Sequence, residues 1–311
     1  MTAIRYTTTY NPKLRDFDVV APASVQEAVA LHGGVAEAEY LGGGTALLST
    51  RYARKLQPEL LVNLKGLPEL HGVRRGDGVL SIGSLCRLNA LTRDPDVLSV
   101  APAVAQGCGT VGAYQVRNRG TIGGNVCNGA SVADLVAPLL ACDATAVYAD
   151  GRRETRVPAT SLWREPNDTA VPRVSVLVRL ELPERAGWTS AFAKTGLRRA
   201  LEIGMVNVAV ALARDGDGRV TDARVAVTGM NMLPFRATDA EGMLVGAAGD
   251  ELDARAREAG RVAADGIRPL EAREDFRVSR HYQARVLPAI VARTAAEAAQ
   301  QPFTTDGKDR R

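Results

Sequence analysis

The chain has 311 residues, of which 46% are hydrophobic and 24% charged, with 39 lysines and arginines set against 35 aspartates and glutamates. The net charge of +4 is spread in short doublets such as Arg74-Arg75, Arg152-Arg153 and Arg198-Arg199, with no basic stripe, which argues against a nucleic-acid partner. The longest apolar stretch, Ala133 to Ala149, is broken by Asp134 and Asp143 and falls short of the roughly 20 residues of a membrane span, and MTAIRYTTTY lacks an apolar signal core, so a cytoplasmic protein is expected.

Phe17 to Pro22 reads as a strand, and Ser24-Val25-Gln26-Glu27 has the S-x-x-E form of a capping box opening a helix that Gly33-Gly34 ends. A brief strand to Leu41 leads into Gly42-Gly43-Gly44-Thr45 and the helix-like segment ALLSTRYARK, and Leu60 to Leu64 is another strand. From His71 the texture changes: HGVRR and VLSIG flank Gly76-Asp77-Gly78 as strands flank a tight turn, and a second subdomain begins. Ser84 is placed to cap a short helix, and Asp94-Pro95 starts another that runs through SVAPAVAQ to Gly107. Gly120 to Asn128 reads as a loop, Ala133 to Ala141 as a buried helix and Ala144 to Ala149 as a strand. WREPNDTAVP, residues 163 to 172, reads as a surface loop. VSVLVRLELP, WTSAFAKT, MVNVAVALAR and ARVAVTGM then form four runs of antiparallel sheet, the last two joined by Asp215-Gly216-Asp217-Gly218, and helices from Thr238 onward cover one face of it.

Cys86, Cys108, Cys127 and Cys142 include no C-x-x-C pair and read as isolated buried thiols, while His32, His71 and His281 stand alone, as structural or exposed residues. GCGTVG satisfies the bare G-x-G-x-x-G pattern through Gly107, Gly109 and Gly112, but a helix precedes it and AYQVRNRG opens no apolar helix after it, so it is rejected as a Rossmann fingerprint. Two other loops, YLGGGTALL and RNRGTIGGN, are dense in glycine. Successive backbone N–H groups there can line one concavity and cradle a pyrophosphate, with Thr45, Thr121 and Asn125 adding side-chain hydrogen bonds, and a pair of ordinary tight turns is the alternative.

The combination of LGGGTALL, QVRNRGTIGGN and Asp134 within ADLVAPLLACDA resembles the FAD-binding medium subunit of the molybdenum hydroxylases, of the xanthine dehydrogenase, carbon monoxide dehydrogenase and 4-hydroxybenzoyl-CoA reductase type. DFDVVAPASVQEAVALH, LVNLKGLPEL and HYQARVLPAIVART extend the likeness along nearly the whole chain. The resemblance implies an α+β fold of the vanillyl-alcohol-oxidase type. Residues 1–70 and 71–186 are the two FAD-binding subdomains it implies, and 187–311 a C-terminal domain with a three-stranded antiparallel sheet and helices. It also implies FAD in this chain, and [2Fe–2S] clusters and the molybdopterin cofactor in a small and a large partner subunit, assembled as a dimer of heterotrimers.

Carried over by motif, Gly42, Gly43, Gly44, Thr45, Ala46, Leu47 and Leu48 wrap the pyrophosphate from one side, and Thr121, Ile122, Gly123, Gly124 and Asn125 from the other. Asp134 accepts hydrogen bonds from the cofactor, Val111 lies beside the adenine or flavin, and Leu177, Lys194 and Ile203 lie near the isoalloxazine; on the residues alone, Leu177 and Ile203 are equally ordinary core. Alanine stands at 46 where the family often has aspartate or asparagine. The cysteine-bearing insertion that holds an extra cluster in benzoyl-CoA reductase relatives is missing after Asn125, which leaves Cys127 alone. No catalytic acid or base is expected here, since the redox chemistry is the cofactor's; a stand-alone flavin oxidase and a non-redox interaction module are the other readings.

Overall fold

The computed structural model describes residues 4–6, 16–52, 57–198, 201–265 and 278–302. The last residues of the expected ALLSTRYARK helix, 53–55, and Arg199 lie outside them. The first unit is a small mixed sheet in the order β1-β2-β4-β3. Strand β1 (Ile4–Tyr6), upstream of anything anticipated, runs antiparallel to β2 (Phe17–Val20), while β2 and β3 (Ala38–Leu41) both lie parallel to β4 (Leu60–Asn63). Helix α1 (Val25–Gly33) links β2 to β3: Ser24 Oγ accepts the Glu27 N–H at 3.1 Å, and Glu27 Oε2 reaches back to the N–H of Ala23, one residue beyond the usual capping-box donor. Helix α2 (Thr45–Tyr52) starts directly from the first glycine loop.

The second unit is an antiparallel sheet. Strands β5 (Val73–Gly76) and β6 (Val79–Gly83) are joined through Asp77 and Gly78 at φ 53° and 73°, the two left-handed residues that a type I′ hairpin requires. Ser84 caps no helix: it is buried, its N–H donates to the Val178 carbonyl and its own carbonyl receives the Gly123 N–H. Helix α3 is Leu88–Leu91. The single helix expected from Asp94 to Gly107 is two, α4 (Pro95–Val100) and α5 (Pro102–Thr110), because Pro102 forces Ala101 out of the helical region, to φ −143° and ψ 63°. Helices α6 (Tyr114–Arg117), α7 (Ile122–Cys127) and the fully buried α8 (Val136–Ala141) follow. Strands β7 (Thr145–Ala149) and β8 (Glu154–Pro158) come next. The expected surface loop then contains a small hairpin of β9 (Trp163–Glu165) and β10 (Asp168–Thr169), turned at Asn167 with φ 65°. Strand β11 (Val176–Pro183) enters the middle of this sheet, giving the order β5-β6-β11-β7-β8. The first of the four strand-like runs thus belongs here rather than to the C-terminal sheet.

That last sheet has the order β12-β13-β14-β15: three long antiparallel strands, β12 (Trp188–Thr195), β13 (Val206–Arg214) and β14 (Val220–Thr228), with a two-residue edge, β15 (Phe235–Arg236). Eight of the nine β13 residues are buried, because both faces are covered. Val206, Val208, Val210 and Leu212 point into a core shared with α9 (Thr238–Leu244), α10 (Glu251–Asp265) and α11 (Arg280–Gln300). The alternate residues Ala209 and Ala211, with Ala226 of β14, join the core of the second unit. Small side chains on that face let α5 and α8 lie close against the sheet, which locks the C-terminal domain to the second unit instead of leaving one face free.

Candidate functional site

Both parallel strands β3 and β4 end at one edge of their sheet, with Leu41 opposite Asn63. The Gly42-Gly43-Gly44 loop therefore leaves the carboxyl edge of a parallel pair and feeds a helix N-terminus, the place where open α/β units present backbone donors. Gly44 has φ +77°, which only glycine adopts without strain. Among the described residues, no acceptor meets the N–H groups of Thr45, Ala46 and Leu47, the first turn of α2. Thr45, Ala46 and Leu48 are exposed, and Leu47 is half-buried.

The second glycine loop meets the first. A Cβ at Gly43 would collide with the Arg119 carbonyl, one at Gly42 would touch Thr121 Oγ1 at 3.4 Å, and one at Gly120 would touch Thr45 Oγ1 at 3.5 Å. Two sequence-distant glycine motifs thus pack backbone to backbone. Residues 122–127, within the span expected to be loop, form helix α7 because Thr121 caps it, its Oγ1 accepting the Gly124 N–H at 3.0 Å. The N–H groups of this loop are already used: Ile122 donates to the Cys86 carbonyl, Gly123 to that of Ser84, Gly124 to Thr121 Oγ1 and Asn125 to the Thr121 carbonyl. What stays open is a side-chain atom, Asn125 Oδ1, buried with no partner among the described residues.

Upstream, Arg117 donates through Nη1 to the carbonyls of Val111 (3.1 Å) and Gly112 (3.2 Å), and so fixes the turn at Gly112, φ +52°. Gly107 and Gly109, from the rejected Rossmann pattern, lie inside α5, and Gly107 packs on α8 and the Asp134 carbonyl. At the end of α5, Lys194 Nζ donates to Asp134 Oδ2 at 2.7 Å, to the Glu202 carbonyl at 2.8 Å and to the Thr110 carbonyl at 3.3 Å, which uses all three of its protons. The Lys194 and Asp134 side chains are only 9% and 7% exposed. Burial pushes the Asp134 carboxyl above its ordinary range, and the adjoining Lys194 charge and hydrogen bond pull it back only in part.

Val111 is half-buried at the end of α5. Leu177 is core, at the bulge of β11 opposite Tyr148. Ile203 is 53% exposed, so it is not the core residue that its apolar character allowed. Nearby Leu197 and Leu201 are also exposed, and the Glu202 carboxylate accepts the Arg198 N–H at 2.8 Å. Sequence reasoning missed Arg117, Thr110 and Glu202. Arg117 lay within the quoted phrase QVRNRGTIGGN, whereas Thr110 and Glu202 meet Lys194 through backbone carbonyls, which leave no mark in a sequence.

Of the histidines, His32 is buried and stacked on Tyr40 at 4.3 Å, where burial lowers its basicity; His71 Nε2 lies 3.1 Å from the Lys65 carbonyl; and His281 is exposed. Only Cys108 of the four cysteines is fully buried; Cys86 and Cys142 are half-buried, and Cys127 is exposed. Among the described residues no group of three or more His, Cys, Asp or Glu side chains is arranged to hold a metal, and no helix is long and apolar enough to cross a membrane.

A mixed α/β unit with unpaired helix-terminal donors, docked through glycine backbones onto a second unit, is the framework of a dinucleotide-binding protein. Residues 15–185 match the family model described as the FAD binding domain in molybdopterin dehydrogenase, and residues 191–298 the CO dehydrogenase flavoprotein C-terminal domain. The chain belongs to this family of oxidoreductase flavoprotein subunits, whose cofactor is FAD. It is 30% identical to the carbon monoxide dehydrogenase medium chain of Hydrogenophaga pseudoflava, over 89% of this chain and 95% of that one. It is 28% identical to the 6-hydroxypseudooxynicotine dehydrogenase complex subunit alpha of Paenarthrobacter nicotinovorans, over 91% and 94%. Among solved structures, a chain of quinoline 2-oxidoreductase from Pseudomonas putida 86 matches with a TM-score of 0.84 at 28% identity, covering 93% of this chain and 98% of that one.

Proposed function

We propose that this chain is the electron-relay subunit of a cytoplasmic molybdenum hydroxylase. In this reading, residues 1–70 and 71–186 are two subdomains of the vanillyl-alcohol-oxidase type that clasp FAD, and residues 187–311 are the C-terminal domain at the isoalloxazine end. Its partners are a small [2Fe–2S] subunit and a large molybdopterin subunit, in a dimer of heterotrimers. When bound, FAD supplies the redox step, accepting electrons from the partner's clusters and releasing them to an external acceptor.

The chain's own residues bind and orient. The observation that carries this reading is the open first turn of α2 beside the Gly43–Arg119 contact: unpaired N–H groups at a helix N-terminus suit a diphosphate. Gly42, Gly43 and Gly44 keep side chains out of that space, with Thr45, Ala46, Leu47 and Leu48 along the helix start. Thr121, Ile122, Gly123, Gly124 and Asn125 form the opposite wall, where the unpartnered Asn125 Oδ1 is fit to accept a hydrogen bond from the cofactor. Val111, Asp134, Leu177, Lys194 and Ile203 belong to the flavin end, where Asp134 and Lys194 orient the wall through their mutual ion pair. Names of relatives as a medium chain, or as a subunit of a complex, support the assembly.

The test is purification with and without partner chains. The expected result is a yellow subunit carrying FAD but no iron, which oxidises no aldehyde, purine or N-heterocycle by itself and whose flavin is reduced by substrate once iron–sulfur and molybdenum chains are present. A colourless subunit that takes up no FAD, or rapid turnover by the subunit alone, overturns it.

A further inference from the structure

We infer that Lys65 and Arg119, which lie within the quoted segments but were given no role there, form a cationic clamp on the diphosphate of the dinucleotide; this rests on the FAD reading above. Lys65 follows β4 at the same carboxyl edge from which the glycine loop leaves β3, in a tight turn pinned by Asn63 Oδ1 accepting the Lys65 N–H at 3.3 Å. Arg119 arrives from the other unit, its carbonyl packed on Gly43. The backbones of both residues therefore sit at the edge from which α2 starts, one in each subdomain, and both side chains are exposed.

Neither side chain has an acidic partner among the described residues, although arginines elsewhere in the protein commonly do. Burial, and after it the charge of Arg119, lowers the basicity of Lys65. Two like charges at one edge without a carboxylate repel one another, and a fold tolerates that where an anion completes the set. The helix N-terminus points the same way, since its unpaired donors also favour negative charge. A diphosphate placed there would be held by backbone donors from one subdomain and by a cation from each, which makes closure of the cleft depend on ligand charge.

The test uses the full chain stripped of flavin, titrated with FAD by fluorescence across a salt series. Lys65→Gln and Arg119→Gln should each weaken FAD binding about tenfold, the loss of one charge-assisted contact, and should flatten its dependence on salt. Lys65→Arg and Arg119→Lys should keep most of both, and the melting temperature of the flavin-free glutamine variants should hold or rise, because one of two like charges is removed while the backbone contacts of residues 65 and 119 are retained. Wild-type affinity and salt dependence in the glutamine variants, or equal loss in the charge-keeping variants, overturns the clamp. Failure of the wild-type chain to bind FAD would instead overturn the function on which it rests.

Discussion

The two ends of the site are built on opposite principles. At the glycine end, backbone does the work: three N–H groups at the start of α2 meet no acceptor among the described residues, and glycines at 42, 43 and 120 let the two loops approach. At the Lys194 end, side chains do it, and the ammonium itself is saturated by Asp134, Thr110 and Glu202. An unsaturated end is fit to receive a ligand, and a saturated one to hold the wall that the ligand meets. Lys194 lies in β12, Thr110 closes α5 and Asp134 precedes α8, so the ion pair joins the C-terminal sheet to the unit that carries the second glycine loop.

The largest effect should come from breaking the saturated end. Lys194→Met leaves Asp134 buried without its cation, and removing one partner of a buried pair costs about 3–5 kcal/mol. Denaturant unfolding measures this, and its pH dependence identifies the cause. The Asp134 carboxyl already titrates above its ordinary range when folded, so its contribution favours folding at acid pH and is lost as pH rises through the folded value. Without Lys194 that value rises further, so the deficit of the variant should be smallest in acid and grow toward neutrality. A pH-independent deficit would show that Lys194 acts by packing alone.

Next comes the backbone contact at the open end. Gly43→Ala puts a Cβ against the Arg119 carbonyl, and overpacking of this kind costs about 1–3 kcal/mol. Because the collision separates the two loops, flavin content should fall more than stability does. Thr121→Ala should do less, removing the α7 cap for about 1 kcal/mol of stability, with a modest loss of flavin. Absorbance ratios and thermal melts on the same samples rank the three variants.

How much of this was legible follows the same division. The glycine loops could be read because backbone approach demands glycine, and glycine is visible. The Asp77-Gly78 hairpin, the Ser24 cap and the strand-like run of β13 were legible for similar local reasons. The break at Ala101 had its signal in Pro102, which an otherwise continuous apolar pattern obscured. Helix α7 was hidden by two glycines in its first turn, whose low helix propensity is offset by the Thr121 cap and by packing of Ile122 and Val126. That β11 leaves the neighbouring run of strands for the middle sheet is a matter of long-range pairing, and no local pattern carries it. Nor does any show that Lys194 and Asp134 are partners, 60 positions apart.

The smallest effect separates the two ends most cleanly. Ala46 is exposed in the first turn of α2, where its N–H is unpaired. In Ala46→Asp the new carboxylate sits at the positive end of the helix dipole, which stabilises a helix by about 0.3–1 kcal/mol. The flavin-free protein should therefore melt slightly higher than wild type. Aspartate often stands at this position in the family, so a carboxylate there coexists with the diphosphate, and FAD affinity should stay within about twofold of wild type at any salt concentration. Stability thus moves while affinity does not, which general damage to the fold cannot produce. A severalfold loss of affinity that recovers at high salt would show that the new carboxylate competes with the diphosphate for the open donors of α2.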